Sequence, residues 1–166
     1  SEDRHSLNLQ SSSDNRFIQN NFEAGIYSSI AMEFSPGSDG NLLKKNRIKS
    51  FEGNGIKIHA SIENELINNT INSSYTSIEL EDASNYTLID RNIVISNNSY
   101  GILVEYGSLY NRVLDNVVSN HAPYNYPIYF LGGADYGEIA NNVVRSYNTT
   151  SIAVFACSFV DVTNNT

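Results

Sequence analysis

Gly55-Ile56-Lys57-Ile58-His59-Ala60-Ser61-Ile62-Glu63-Asn64-Glu65-Leu66-Ile67-Asn68-Asn69-Thr70-Ile71 sets the beat of the chain. The stretch opens on a small residue and alternates apolar residues at Ile56 and Ile58. It closes with Asn69 set between Leu66, three residues before, and Ile71, two after. Working outward, the same asparagine returns at Asn20, Asn46, Asn92, Asn116, Asn142 and Asn165, with successive gaps of 26, 23, 23, 24, 26 and 23 residues along the series. The residue three before is always apolar (Phe17, Leu43, Leu66, Ile89, Val113, Ile139, Val162). So is the residue two after, from Phe22 and Ile48 to Val118 and Val144. A repeat of this length means one structural unit stacked on copies of itself.

The alternation at Ile56/Ile58 recurs at Leu7/Leu9, Ile30/Met32, Ile78/Leu80, Ile102/Val104, Ile128/Phe130 and Ile152/Val154. Period two is the strand period. Ser6, Ser29, Gly55, Ser77, Gly101, Pro127 or Ser151 precedes each pair, and no stretch keeps a helical period. Short strands in a unit of about 23 residues predict an all-β fold: a right-handed parallel β-helix of about seven rungs of 22–26 residues, each strand about 4.8 Å from its counterpart. Asparagine is poor in strands. Its regular return is explained by a tight corner in the left-handed conformation and by amides bonding from rung to rung. A second, partial ladder is expected at Asn15, Asn41, Asn64 and Asn111, with Thr87, Gly137 and Val160 in the gaps.

Gly55-Ile56-Lys57-Ile58 with Asn64 and Asn69, and Gly101-Ile102-Leu103-Val104 with Asn111 and Asn116, resemble the parallel β-helix repeat of the pectin-lyase-like superfamily. The likeness is to the carbohydrate-binding and sugar-hydrolysis repeats shared with NosD-type periplasmic proteins and with microbial surface proteins. It spans nearly the whole chain. It implies the scaffold, and many activities share that scaffold. The NosD likeness raises copper, but one Met, one Cys and three scattered His are a poor supply of soft ligands.

The 166 residues suffice for one domain. Leu7/Leu9 and Phe159 to Thr166 enter and leave in mid-repeat, so residues 1–166 are expected to be an excerpt of a longer β-helix, capped by flanking domains or subunits. A net charge of −8 argues against nucleic acid as partner, whose phosphates need a basic face, and against anionic membranes. Nothing in the sequence is apolar enough to insert in a bilayer, and the polar start Ser1-Glu2-Asp3-Arg4-His5 is no secretory signal. Cys157 is expected to fill the core beside Val154. Low charge and abundant Asn, Ser and Tyr suit an extracellular or cell-surface protein.

A β-helix core is filled, so a ligand must lie on an outer face or against loops. Residues between the apolar pairs form one outward column: Asn8, Ala31, Lys57, Glu79, Leu103, Tyr129, Ala153. Those just after form another: Gln10, Glu33, His59, Glu81, Glu105, Leu131, Phe155. Charge gathers at Glu33, Lys57, His59, Glu79, Glu81 and Glu105, with Asp82 and Tyr106 adjoining and aromatic residues above. A polysaccharide asks for such a surface, and three chemistries stay open. Glu81 and Glu105, on neighbouring rungs, or Glu79 could hydrolyse a glycosidic bond. His59 or Lys57 could abstract a proton beside a uronate. Glu79, Glu81, Glu105 and Asp82 could hold a hard cation such as Ca2+; no other cofactor is expected. Polar side chains are equally ordinary on any solvated sheet, where Lys57 and His59 would simply offset the glutamates. The segment from Asn120 to Pro127 reads as an extruded loop carrying His121, Tyr124 and Tyr126. The pattern favours a polysaccharide hydrolase or lyase, with Glu33, Tyr106, Tyr124, Tyr126 and Tyr129 gripping substrate. The rival is a non-catalytic surface or adhesin module.

Overall fold

The computed structural model describes residues 6–25 and 30–166; the polar start at residues 1–5, and Ser29, lie outside the described residues. Twenty short strands form three parallel sheets, the first two of seven strands and the third of six, in which every strand pairs with the strand one rung away. Six complete turns and two strands of a seventh make an all-β solenoid. Among the described residues there is no helix, so none long and apolar enough to cross a membrane.

One rung shows how sequence becomes structure. Ile56–His59 (strand β7) lies in the first sheet, Glu65–Ile67 (β8) in the second and Thr70–Ser73 (β9) in the third. Ile56, Ile58, Leu66 and Ile71 point inward and are fully buried, as are their counterparts above and below. Gly55 must be small: a Cβ there would sit 2.6 Å from both Ile71 Cγ2 and the Ser77 carbonyl of the next rung.

The expected asparagine ladder is present, buried to within 2% at Asn46, Asn69, Asn92, Asn116 and Asn142. Asn92 shows the pattern. Its Oδ1 accepts from the Asn69 backbone N–H at 2.8 Å and from Asn69 Nδ2 at 3.1 Å. Its Nδ2 donates to the Leu66 carbonyl at 2.8 Å and to Asn116 Oδ1 at 3.0 Å. One expectation needs correction. The left-handed residue of the corner is not the ladder asparagine but the residue before it: Gln19, Lys45, Asn68, Arg91, Asp115, Asn141 and Asn164, all at φ between 53° and 60°. Such conformations cost a non-glycine residue on the order of 1 kcal/mol each. The buried amide bonds beside them hold the chain there.

The second ladder is broken where the sequence places Thr87. Asn15 and Asn41 each donate a backbone N–H to the next Oδ1, and Thr87 donates its own to Asn111. Asn64 Nδ2 and Thr87 Oγ1 remain buried without a hydrogen-bond partner. Thr87→Asn supplies the missing acceptor and is expected to stabilise the fold by about 1 kcal/mol, read as a raised urea midpoint. An unchanged midpoint would show that the column does not close there.

Rung register also needs correction. Met32–Phe34 (β4) pairs Met32 with Leu7 and Ile56, Glu33 with Asn8 and Lys57, and Phe34 with Leu9 and Ile58. The inward pair is therefore Met32/Phe34, not Ile30/Met32. Ala31, expected outside, is fully buried in the small-residue position that Gly55 and Ser77 occupy in their rungs. Glu33 moves from the column of His59 to that of Lys57. Cys157 packs against the core as expected, partly buried, while Val154 is 39% exposed.

Candidate functional site

Ile78–Glu81 (β10) carries the centre of the charged face, between Ile56–His59 on one side and Ile102–Val104 (β13) on the other. Strand alternation throws Glu79 and Glu81 outward while Ile78 and Leu80 fill the core. Parallel register lays Glu79 beside Lys57 and Glu81 beside His59. Glu105 follows one rung on, its backbone N–H bonded to the Leu80 carbonyl. The face thus brings together Lys57, His59, Glu79, Glu81 and Glu105, the five expected catalytic candidates, and Asp82.

Glu81 is the hub. Its Oε1 accepts from Lys57 Nζ at 2.8 Å and lies 3.0 Å from His59 Nδ1. His59 Nε2 stands 3.5 Å from Asp82. Glu79 accepts from Asn54 Nδ2, and Lys57 Nζ is 4.0 Å away. Oxygens of Glu79, Glu81 and Glu105 all lie within 4.8 Å of one another. Burial chiefly, aided by Glu81 and Glu105 and opposed by Lys57, raises the Glu79 carboxyl to about 7. Burial also raises Glu105, 8% exposed, with Glu81 adding to the shift. For Lys57 burial works against the charged form, but the bond to Glu81 and the nearby carboxylates outweigh it and raise its pKa. A base must shed its proton, so Lys57 is poorly placed for elimination. It also occupies the space a hard cation would share with Glu81.

The raised pKa of Glu79 has a consequence for folding. Its pKa is above the unfolded value, so the native state holds the proton longer and stability falls as pH rises from about 4.5 to 7. A shift of this size corresponds to roughly 3 kcal/mol. Glu79→Gln, which keeps a neutral side chain, should flatten that slope in melts from pH 5 to 8. An identical slope in wild type and variant would refute the assignment.

The tyrosines divide. Tyr126 and Tyr129 pack together at 4.9 Å between ring centroids, and Tyr100, which sequence reasoning missed, joins Tyr129 at 5.4 Å. This cluster borders Glu105, whose charge adds to the burial that raises the Tyr100 phenol. Between cluster and carboxylates, Leu103 points outward from its strand yet is only 6% exposed. Tyr124 is 88% exposed, and Tyr106 sits at φ 50° on the turn after Glu105, 59% exposed. Neither shares in a ring contact found among the described residues. His121 of the loop reaches Asn97 rather than the cluster.

A second aromatic feature was not foreseen. Tyr86, Tyr110, Tyr136 and Phe159 stack at 4.9, 5.0 and 5.0 Å, with planes within 13° of parallel. Each occupies the left-handed position before the second ladder, at φ 56° to 58°. The sequence did carry the signal: each stands six residues before a ladder asparagine.

A family model described as "Periplasmic copper-binding protein (NosD)" matches residues 1–164. No curated protein and no solved structure gives a significant match.

Proposed function

The chain belongs to the NosD family, a right-handed parallel β-helix family of the pectin-lyase-like superfamily, and on that scaffold we propose a glycan-processing surface that acts outside the cytoplasm, as the family's periplasmic description suggests. The observation that carries this reading is a pair of carboxyls, Glu79 and the buried Glu105, with oxygens within 4.8 Å, the first raised by burial to about 7. A retaining glycosidase needs a proton donor and a nucleophilic carboxylate about 5 Å apart. Glu79 donates its proton to the leaving glycosidic oxygen while a Glu105 oxygen bonds to the anomeric carbon. Water then displaces Glu105, giving its proton back to Glu79. Lys57 and His59 hold Glu81, whose charge adds to the burial that keeps the Glu79 proton in place. Tyr100, Tyr126 and Tyr129 offer a ring platform beside Glu105. A neutral glycan suits a surface so rich in carboxylates better than a polyuronate does.

Copper fits these residues poorly. Among the described residues, the groups at ligand distance are His59–Glu81–Asp82 and Glu79–Glu81–Glu105. One imidazole and several carboxylates are a hard-oxygen set. Met32 is fully buried, and His121 lies against Asn97.

The test is a panel of neutral and acidic polysaccharides read for new reducing ends and for the ultraviolet absorbance of unsaturated uronates. Reducing ends without absorbance are expected. Absorbance would favour elimination. Binding with no turnover on any substrate would reduce the protein to the non-catalytic module.

A further inference from the structure

Beyond the carboxylate face, we propose that the column of Tyr86, Tyr110, Tyr136 and Phe159 is a separate binding groove for an extended neutral glycan. The proposal rests on the reading of the protein as a glycan-handling β-helix. The four rings line a shallow groove of about 670 Å³ with Arg112, Glu138 and Asp161 along its other side. Those three residues stack in register on successive strands of the second sheet.

The geometry selects the occupant. Ring centroids 4.9–5.0 Å apart exceed the roughly 3.5–4.0 Å of carbon contact, so the rings overlap as offset shingles, the favoured arrangement. Each leaves part of a face open, and the residues are 40–74% exposed. A fold needs no such exposure of four aromatic side chains at one corner. A surface that repeats once per rung fits a ligand that repeats along its own length, which a linear polysaccharide does. Apolar sugar faces lie on the rings, and hydroxyl groups meet the tyrosine hydroxyls and the polar rim. Arg112 is already paired with Glu138 at 2.8 Å, and Asp161 adds negative charge. An anionic polymer finds no free cation there, so the glycan is neutral.

Hexasaccharides of β-1,4-linked glucose, xylose and mannose are the probes, bound to the Glu79→Gln protein so that none is cut. With no tryptophan and 11 tyrosines in the chain, intrinsic tyrosine fluorescence reports binding directly, and calorimetry checks it. Tyr110→Asn combined with Tyr136→Asn removes two rings but leaves a residue that tolerates the left-handed corner, as Asn68 and Asn141 do at theirs. At least tenfold weaker binding is expected, with the circular dichroism spectrum unchanged. Tyr110→Phe keeps the ring and should bind as the parent does. Equal affinity in the double variant overturns the proposal, and so does failure of all three probes to saturate the parent. So would a dimer, seen by sedimentation without glycan, that the double variant dissolves. If the wild type releases no reducing ends while the double variant still loses binding, hydrolysis falls and the groove stands.

Discussion

Asn92→Ala is expected to lower stability by about 3 kcal/mol, whereas Asn20→Ala lowers it by less than about 1 kcal/mol. The two residues hold the same place in the repeat and differ in what they leave behind. Removing the Asn92 amide orphans the Asn69 backbone N–H and takes a donor from the Leu66 carbonyl, both in a column that water does not reach. Each buried group left unpaired costs about 1–3 kcal/mol. Asn20 is exposed, and its Nδ2 bonds go to Ile18 and Asn46, where solvent can replace it. Asn92→Asp sharpens the argument, because it keeps the acceptor, loses the Nδ2 donor and buries a carboxyl. It should be nearly as damaging as alanine, and worse as pH rises. Urea midpoints decide the matter. Equal losses at positions 20 and 92 would mean that the ladder is an ornament of the fold and not one of its supports.

The second large effect concerns turnover. Glu79→Gln is expected to lower kcat/KM for the glycan by about 10²–10⁴-fold, the usual contribution of a positioned general acid. The fold should persist, because glutamine keeps the neutral form and the Asn54 contact. In the wild type, activity should decline as pH passes about 7, since the proton Glu79 must donate is then gone. Glu105→Gln removes the nucleophile and should be as severe, but a substrate with a very good leaving group rescues bond cleavage only in the Glu79 variant, where protonation alone is missing. A Glu79→Gln enzyme with wild-type turnover would end the hydrolytic mechanism.

Much of the fold was legible because a buried amide on a fixed period has few explanations. The apolar positions at three before and two after the asparagines are buried from Leu43 to Val144; Phe17 and Phe22 are half-buried, and Val162 is exposed on the last rung. The slip at Glu33 came from chemistry, since Ile30, Met32 and Phe34 offer two overlapping apolar pairs and the 26-residue gap from Asn20 to Asn46 fits either. Only pairing with Leu7 and Ile56 decides it. The corner was misassigned by one residue because asparagine is expected at positive φ; here the ladder asparagine gives its amide to the column, and the residue before it, Asn or Asp at Asn68, Asp115, Asn141 and Asn164 but Gln, Lys or Arg at Gln19, Lys45 and Arg91, takes the left-handed turn. The grouping of Lys57, His59, Glu79, Glu81 and Glu105 followed from strand alternation. The protonation of Glu79 did not, because it depends on burial that a column of letters does not reveal. The stacked tyrosines went unread because turn residues were treated as spacers.

The amide column has a direction. From Asn20 to Asn142 each Nδ2 donates to the Oδ1 of the asparagine one rung later, so the side-chain dipoles line up head to tail. Polarisation passes along such a line, each bond strengthening the next. Two copies of this protein could prolong the column only by meeting donor end to acceptor end. A mirror-paired meeting would set like poles together, so any filament built through this seam would be polar, with two chemically different tips.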